Sequence, residues 1–483
     1  MIKLKINERL APSACACLLL LVGTCTANAQ TAVAEPSLPE APLVKLFATI
    51  ETQPDEQAMG NGSSIPQANA QPAGQHPGLT RADAEQMAIK NNPRISVGRL
   101  LALAQHQAVR EARAAELPVA NASITAVDAE EGSRLSAGSL TASRLLPHAG
   151  AGANFTQLIT DFGRTNNLVA SSKLQEKAQN ASALATTEDI VLATDHAFYN
   201  ALEAQALLKV AEQNVTTRQT TETQVSELTR NRLKSTLDLS FADVSLSQAK
   251  LLLLDAQNNA DSTMAALDAV LGLDHQVTYG LVESNKALQP PPPDVDQLIQ
   301  LGLLQRPDLQ ALHYGAEAAV KLSHAQRDQM FPTISAAGTA GTVPIRTDLY
   351  YTTNWWGAIG VNMNIPIFNG FLYTAQAKEA TIRAEAASEQ SRDLRDQIVR
   401  DIRTSWLGAG TAFQRVTVTA ELLKQADLAL TLAQTRYQMG LSSIVELSQA
   451  QFQQTDAAIS NTNARYQYRL ALATLNYQVG ATP

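Results

Sequence analysis

The feature that most limits how this chain can fold is a run of over a hundred residues without proline or glycine, from Arg164 to Leu271. Proline removes a backbone donor from a helix, and glycine carries a large entropic cost there. A second run without proline extends from Phe371 to Met439, and a third from Ser442 to Val479. These runs predict very long helices. A helix from Arg164 to about Lys234 would be roughly 100 Å long, at about 1.5 Å per residue.

Each long helix is expected to end in a turn that leads into a shorter helix. Gly440, in the stretch YQMGLSSIVELSQAQ (437–451), can adopt a left-handed backbone conformation without steric cost, and serines that can cap a helix follow it. A similar junction, RLKSTLDLSFADV (232–244), divides the first long run. The sequence therefore predicts two long helical hairpins, one in each half of the chain.

The shorter elements also recur in both halves. Thr80 and Asp83 form a capping box that begins a helix ending before Pro93, and Asp296 is the expected cap of a matching helix ending before Pro307. Further pairs recur at nearly constant spacing: Pro118 and Pro332, Phe198 and Trp406, and Gly272 and Gly480. We therefore predict a tandem repeat, with the first repeat over 79–273, a proline-rich linker over 274–293 and the second repeat over 294–480.

Each half contains two segments with the character of β-strands. They are Val119–Val127 and Ala151–Ile159 in the first half, and Thr333–Val343 and Trp355–Ile367 in the second. Apolar residues alternate with small or polar residues throughout the last segment, as they do in outer-membrane strands that face lipid on one side and a lumen on the other. The alternative is a half-buried strand of a soluble sheet. Four aromatic residues would suit a lipid interface: Tyr350, Tyr351, Trp355 and Trp356.

The second long run carries a narrow apolar seam rather than a broad apolar face. Its members recur at spacings of three and four residues: Leu394, Ile398, Ile402, Trp406, Ala409, Phe413, Val416 and Ala420. Glutamine, threonine, alanine and charged residues flank this seam. A narrow seam on a very long helix predicts a wall one helix thick, with water on both sides.

The N-terminus has the features of an export signal. Basic residues precede an apolar stretch from Ala11 to Val22, and Ala27-Asn28-Ala29 gives a small-x-small cleavage pattern. We therefore expect a signal peptide over 1–29 and a mature chain that begins at Gln30. Residues 30–78, rich in proline, alanine, glutamine, glycine and serine, are expected to be flexible because they cannot bury enough apolar surface to fold.

Composition argues against several classes of function. The net charge is −8 and no basic run follows the first dozen residues, so nucleic-acid binding is not expected. The seven histidines are scattered, and we find no phosphate loop, dinucleotide fingerprint or nucleophile elbow. We therefore expect that the protein is not an enzyme and that it binds no cofactor and no metal ion. No apolar stretch approaches the roughly 20 residues of a spanning helix, so any membrane crossing would use strands.

Together these features resemble the TolC-type outer-membrane efflux protein family, from about Leu79 to Gly480. The motifs that carry the resemblance are LTRADAEQMAIKNNPRI with its repeat LLQRPDL, LPVANASITA with FPTISAAGTA, ITDFGR with IFNGF, and the Tyr437-x-x-Gly440 turn. Each motif is loose by itself. Their order and their duplication make the match specific.

The resemblance implies an α+β protein of the bacterial outer membrane. Three copies would combine four strands each into a twelve-stranded β-barrel, and their helical hairpins into a tunnel through the periplasm. Such a homotrimer would be a passive duct that a periplasmic adaptor protein joins to an inner-membrane pump. Its substrate stays open, because a duct of this kind takes its specificity largely from the pump, and both drug efflux and type I secretion fit.

A rival interpretation is an exported coiled-coil or adhesin-like structural protein without transport activity. Strand segments in matching places of both halves argue against it, because a fibrous protein would not need them.

The resemblance also implies a gate at the hairpin turns. Glu446 and Gln449 stand at the pore constriction, where relatives commonly have aspartates. Tyr437 matches a tyrosine that ties the second turn to an aspartate of the first, for which Asp243 and Asp238 are the candidates.

The same turns would dock the adaptor. Two of their residues depart from the family pattern: Thr236 stands where glycine is usual, and Ser442 where some relatives have an arginine of the closing network. The expected docking residues are Ser235, Thr236, Leu237, Gly440, Leu441 and Ser442.

Processing of the N-terminus gives a direct test. All three cysteines, Cys15, Cys17 and Cys25, lie before the expected cleavage site. Mass spectrometry of the mature protein should therefore find Gln30, or its cyclised form, at the N-terminus and no thiol in the chain. The competing interpretation keeps Cys25 as a lipidated first residue, although Thr24 before it fits poorly. A diacylglyceryl adduct on Cys25 would establish that alternative.

Overall fold

The computed structural model describes residues 78–127, 134–137, 140–144, 148–273, 280–283, 287–342, 345–347, 350–352 and 355–481. All of them lie in the second of the two units into which the chain divides, Gly74–Pro483. The expected signal peptide with its three cysteines, the expected flexible segment up to residue 77, and linker residues 274–279 and 284–286 lie outside the described residues.

Both halves contain the same helices in the same order. They are α1 (Arg81–Asn91), α2 (Pro93–Ala114), α3 (Arg164–Arg230) and α4 (Thr236–Leu271), followed by α5 (Val295–Gln305), α6 (Pro307–Asp328), α7 (Leu372–Gln438) and α8 (Ile444–Val479). Corresponding helices have the same lengths, 11, 22, 67 and 36 residues. The two long helical hairpins that the sequence predicts are α3–α4 and α7–α8.

The strands form one principal sheet and three short pairs. The strands are β1 (Gly78–Leu79), β2 (Val119–Val127), β3 (Arg134–Ala137), β4 (Leu140–Arg144), β5 (His148–Thr160), β6 (Gly280–Leu281), β7 (Thr333–Thr342), β8 (Ile345–Thr347), β9 (Tyr350–Thr352) and β10 (Trp355–Asn364). The principal sheet has the order β10-β7-β5-β2, and all of its neighbours are antiparallel. Its four strands are the four segments that the sequence predicts, and the β5–β7 pair joins the two halves.

The last strand is shorter than expected. The predicted segment extended to Ile367, whereas β10 ends at Asn364, which pairs with Thr333, the first residue of β7. Pro332 precedes that residue and Pro366 follows the strand. Proline has no backbone N–H to donate to the ladder, so pairing stops on both strands at the same level.

The long helices lie side by side in a layer. Toward the hairpin turns, α4 packs on α3, α3 on α8, and α8 on α7; toward the sheet, α2 and α6 pack on α3, and α6 also packs on α7. The short helices α1 and α5 pack onto α3 and α7. This arrangement agrees with the expected wall one helix thick, and it leaves α4 and α7 at the flanks near the turns.

Among the described residues, no helix is both long enough and apolar enough to cross a membrane.

Two apolar clusters hold the short helices to the layer. The cluster under α1 includes Phe198, Leu267 and Leu271, which are at most 1% exposed. The cluster under α5 includes Ile398 and Ile402 from the predicted seam, and neither is exposed to solvent. Along the same seam, the Phe413 ring packs against Tyr468 with ring centroids 5.2 Å apart. The spacing of the seam therefore predicted the buried or half-buried face of α7 correctly from Leu394 to Val416, whereas its last member, Ala420, is exposed.

Gly272 and Gly480 end α4 and α8 in equivalent ways. Both take the left-handed conformation, with φ of 71°. A Cβ on Gly272 would lie 2.9 Å from the backbone oxygen of Asn91, and one on Gly480 would lie 3.2 Å from the backbone nitrogen of Arg306. In both halves the end of the long hairpin thus meets the junction between the two short helices, and a side chain would not fit there.

The cap of α5 differs from the expectation. We predicted Asp296, but the N-cap is Asp294, whose carboxylate accepts the backbone N–H groups of Asp296 and Gln297 at 3.0 and 3.2 Å. Asp296 instead lies in the first turn, where its negative charge interacts favourably with the positive end of the helix dipole. Two aspartates two residues apart made the cap ambiguous from sequence alone.

Buried charges near α1 and α5 are paired. Arg81 Nη1 lies 3.0 Å from both Glu85 Oε1 and Asp195 Oδ2. Burial, together with a hydrogen bond to Asp195, raises the pKa of Glu85 to about 7. Arg306 is likewise buried and lies 2.5 Å from Asp308. In both places the opposite charge offsets part of the cost of burial: Arg81 offsets it for the two acids near α1, and Asp308 offsets it for Arg306.

The contact at Gly272 can be tested by substitution. Gly272→Ala should lower the free energy of unfolding by about 2–4 kcal/mol, because a Cβ there meets backbone and the left-handed conformation disfavours side chains. Gly408, inside α7 with open space where a Cβ would be, is the matched control. Gly408→Ala should raise stability by about 0.5–1 kcal/mol. Urea unfolding of the purified protein measures both, and equal effects would contradict the packing at Gly272.

Candidate functional site

The two hairpin turns lie in contact with each other. We call them the paired tips, residues 232–244 and 437–451. One apolar cluster joins them, with members from all four long helices: Val225, Ala242, Ala433, Tyr437, Ile444, Leu447 and Ala450. The structure therefore brings together, at one end of the layer, the residues that the family resemblance assigned to a gate and to adaptor docking.

The first tip turns at a residue that sequence reasoning missed. After α3 ends, Arg232 takes the left-handed conformation with φ of 59°. Ser235 then caps α4, and the Asp238 carboxylate accepts the backbone N–H of Ser235 at 3.3 Å. Thr236 is the first residue of α4, so the missing glycine at that position costs nothing. Arginine gives no sequence signal for a left-handed conformation, which explains the miss.

The second tip is built as its sequence predicts. Gly440 is left-handed with φ of 73°. Its N–H donates to the Tyr437 carbonyl at 3.0 Å, and the next N–H donates to the Arg436 carbonyl at 2.8 Å, which satisfies the last carbonyls of α7. Ser443 then caps α8 and accepts the N–H of Glu446 at 3.3 Å.

Tyr437 packs between the tips without using its hydroxyl. The residue is 6% exposed, and Lys234 Nζ lies 4.7 Å from the centre of its ring. Burial raises the pKa of Tyr437, and the charge of Asp238 raises it further. Within the part of the chain that the structure describes, the hydroxyl has no hydrogen-bond partner. Neither Asp238 nor the exposed Asp243 is therefore bonded to it in the single chain.

Glu446 and Gln449 are both exposed near the start of α8. Glu446 Oε1 lies 3.1 Å from Nε of Arg436, in the last turn of α7. The positive charge at the C-terminus of α7 and the negative charge near the N-terminus of α8 also interact favourably with the dipoles of these helices. Because both side chains are about half exposed, the pair itself contributes at most about 1 kcal/mol. Sequence reasoning found Glu446 and missed Arg436, although a basic residue just before a turn and an acid just after it are the signal for such a pair.

Five of the six expected docking residues are exposed at the surface of the paired tips: Ser235, Thr236, Leu237, Gly440 and Leu441. Leu237 and Leu441 are large apolar side chains that are 62% and 67% exposed. Ser235 and Thr236 begin α4, while Gly440 and Leu441 form the second turn. The Ser442 hydroxyl is buried and accepts or donates no hydrogen bond within the described residues.

The expected interface aromatics lie at the far end of the molecule. Trp355 and Trp356 begin β10 and are 79% and 47% exposed. Tyr350 and Tyr351 belong to β9, and the described part of the structure does not include their side chains. Farther along β10, Ile359 is 94% exposed. The face of the sheet that carries Trp355 and Ile359 thus presents large apolar side chains to its surroundings.

The sequence of the chain matches the model of a known family in both halves. The model is that of the outer membrane efflux proteins, and it matches residues 85–273 and 298–481. The chain belongs to this family. Membership places the protein in the bacterial outer membrane. Because members of the family are channel proteins for efflux, it also confirms the expectation that the chain is not an enzyme.

Individual relatives agree with this family membership. Outer membrane protein TolC of Escherichia coli (strain K12) is 23% identical over 355 residues, which are 68% of this chain and 70% of TolC. A membrane protein from Pseudomonas aeruginosa superposes with a TM-score of 0.73 at 21% identity, over 83% of this chain and 93% of its own. CusC superposes with a TM-score of 0.73 at 19% identity, over 88% and 99%. These structures confirm the α+β class and the TolC-like fold.

The unpaired hydroxyl of Tyr437 leads to a prediction. Tyr437→Phe keeps the packed ring and removes only a buried polar group without a partner, so tip stability should stay within about 0.5 kcal/mol or rise. Tyr437→Ala also empties the space of the ring and should cost about 3–5 kcal/mol. Amide hydrogen exchange across 436–450 measures both effects. A loss in Tyr437→Phe as large as that in Tyr437→Ala would show that the hydroxyl has an acceptor in the assembled protein.

Proposed function

We propose that three copies of this chain form a passive duct of a tripartite efflux or secretion system. The duct would conduct substrates from an inner-membrane pump, through a periplasmic adaptor, to the cell exterior. Its strands would form a shared twelve-stranded barrel in the outer membrane, and its helices a tunnel in the periplasm.

The observation that carries the proposal is the four-stranded sheet. Within the described residues, β2 and β10 each pair on one side only, which leaves backbone groups at both edges without partners. Such groups are too costly to expose to lipid, and single-chain barrels start at about eight strands. Because β10 and β2 run in opposite directions, β10 of one copy beside β2 of the next continues the antiparallel pattern around a ring.

The flanks of the helical layer support the same assembly. Near the paired tips, α4 and α7 are the outermost helices, and each carries large apolar side chains that are exposed to solvent. Leu251 and Leu254 on α4 are 62% and 61% exposed, while Val418 and Leu432 on α7 are 68% and 57% exposed. Contact between α7 of one copy and α4 of the next would cover both sets.

The rival function, an exported structural protein without transport activity, gains no support from the fold. A fibrous protein has no use for a sheet with one strongly apolar face. CusC, which shares this fold, is described as forming a transmembrane channel.

For the gate, we propose that the paired tips close the periplasmic end around the threefold axis. Glu446 would ring the passage, and Gln449, about one helical turn farther on, would line it without charge. Arg436 beside each Glu446 offsets part of the ring's negative charge. Tyr437 would lock the tips mainly through its buried ring, and Asp238 is the acid whose charge affects it.

The partners follow from the surfaces at the two ends. The outer surface of the paired tips, with exposed Leu237 and Leu441, is the proposed docking site for the adaptor. Trp355 and Trp356, together with Tyr350 and Tyr351, are proposed to meet the lipid interface.

Planar-bilayer recording tests the duct and its gate together. The wild-type protein should conduct with a preference for cations. Glu446→Gln should abolish or reverse that preference, because it leaves three arginines at the ring without their partners. Arg436→Gln should strengthen it for the opposite reason. Glu421→Gln is the matched control: it removes an exposed acid of α7 roughly 25 Å from the turn, and it should leave selectivity unchanged.

Two results would contradict the proposal. Unchanged selectivity in both Glu446→Gln and Arg436→Gln would remove these residues from the pore. Light scattering on the same preparation should give the mass of three mature chains, and a monodisperse monomer that still conducts would overturn the shared barrel.

A further inference from the structure

An arginine is buried between α3 and α8, and no described residue gives it an acidic partner. Arg218 is 7% exposed. Its Nη1 donates to Oε1 of Gln451 at 2.9 Å, and its Nε donates to Oδ1 of Asn214 at 3.3 Å. Burial lowers the pKa of Arg218, and no acid among the described residues counteracts this effect. The guanidinium therefore has amide acceptors but no counter-charge.

Among the described residues one other arginine, Arg306, is buried, and its setting differs. Arg306, equally buried, lies 2.5 Å from Asp308. Near Arg218 the closest acid along the helix is Glu222, one turn on, but it accepts a hydrogen bond from Gln219 at 2.9 Å instead. Amide oxygens satisfy the donors of a guanidinium without neutralising it, so the cost of burying the charge is only partly offset. The contact between α3 and α8 is consequently weaker here than an ion pair would make it.

Gln451 links Arg218 to a small polar network, which we call the polar seam: Asn214, Arg218 and Thr221 on α3, and Gln451 and Thr455 on α8. Gln451, 3% exposed, donates from Nε2 to the Thr221 hydroxyl at 3.0 Å. The Thr455 hydroxyl donates to Asn214 Oδ1 at 3.1 Å. These bonds join the first hairpin to the second.

Open space lies on both sides of the polar seam. A cleft of about 500 Å³ is lined by Asn214, Gln451 and Thr455, among other residues. A second cleft, of about 280 Å³, is lined by Thr221 and Tyr437 and lies toward the paired tips. Side chains that face a cleft lose packing contacts, so apolar packing contributes little to the α3–α8 contact at this level. The hydrogen bonds of the polar seam therefore contribute to holding the two hairpins together there.

The polar seam lies close to the proposed constriction. Gln451 follows Glu446 by five residues on the same helix, about 7.5 Å along its axis. A straight helix transmits a displacement at Gln451 to its first turn, where Glu446 lies.

We propose that Arg218 is a positioning residue of the gate. Its uncompensated hydrogen bond to Gln451 holds the start of α8 against α3 firmly enough to place Glu446, and weakly enough for the paired tips to separate. This inference rests on the proposed function for the role of Glu446, while the strength of the α3–α8 contact can be measured without it.

The test supplies the missing charge. Gln451→Glu would place a carboxylate beside Arg218 and convert the contact into a buried ion pair. Amide exchange over 444–456, measured on the assembled full-length protein, should slow by about tenfold. Gln453→Glu adds the same charge at an exposed position two residues away and should leave exchange unchanged. Exchange in Gln451→Glu that is as fast as in the wild type would overturn the inference.

A second variant shows whether the effect acts through Arg218. In an Arg218→Met background, Gln451→Glu would bury a carboxylate without a partner, and exchange over 444–456 should become faster instead of slower. Slowing of the same size in both backgrounds would assign the effect to some other group and overturn the role of Arg218.

Bilayer recording then separates this inference from the proposed function. Gln451→Glu should lower the fraction of time spent open by about tenfold, in step with the slower exchange. Slower exchange with wild-type gating would overturn the positioning role and leave the duct intact. A wild-type protein that forms no pore, with exchange slowed as expected in Gln451→Glu, would overturn the duct and the role of Arg218 in gating it.

Discussion

The structure depends on how a very long helix with a narrow apolar seam can be buried. A seam of one residue in three or four cannot form a core by itself, so α3 and α7 need neighbours along their whole lengths. The short helices, the returning helices α4 and α8, and α2 and α6 supply them in turn. Each neighbouring helix covers only one side of a long helix. The result is a layer whose flanks still carry leucines exposed to solvent.

The tandem repeat solves the same problem twice with the same contacts. At the end of α4, Gly272 meets Asn91, and at the end of α8, Gly480 meets Arg306. These close approaches fix where each hairpin begins relative to its short helices. They leave the distant paired tips, about 50 Å along α4 and α8 at 1.5 Å per residue, to be held by the apolar cluster around Tyr437 and by the polar seam.

Charged side chains have different partners at the two ends of the helical layer. Near α1, the buried carboxylates Glu85 and Asp195 pair with the partly exposed Arg81, and near α5 the buried Arg306 pairs with Asp308, which suits a region that stays fixed. Toward the tips, the partners of Arg218 within the described part of the chain are amides, and the Arg436–Glu446 pair is half exposed. Both tip contacts are individually weak. A region whose contacts are weak can change its conformation at a modest cost in free energy, as the proposed gate requires.

The sequence by itself determined the elements whose causes are local. The absence of proline set the long helices, and Gly440 and Ser443 set the second tip. Alternation set β10, and the spacing of Ile398 and Ile402 set the buried face of α7. The rule for helix caps failed where two residues were candidates for the same N-cap, as Asp294 and Asp296 were at the start of α5. Only the tertiary structure decided which groups meet across the chain: β5 with β7, and Arg218 with Gln451. It also decided that Arg232 takes the left-handed turn. These choices depend on packing between residues far apart in sequence, and no local pattern records such packing.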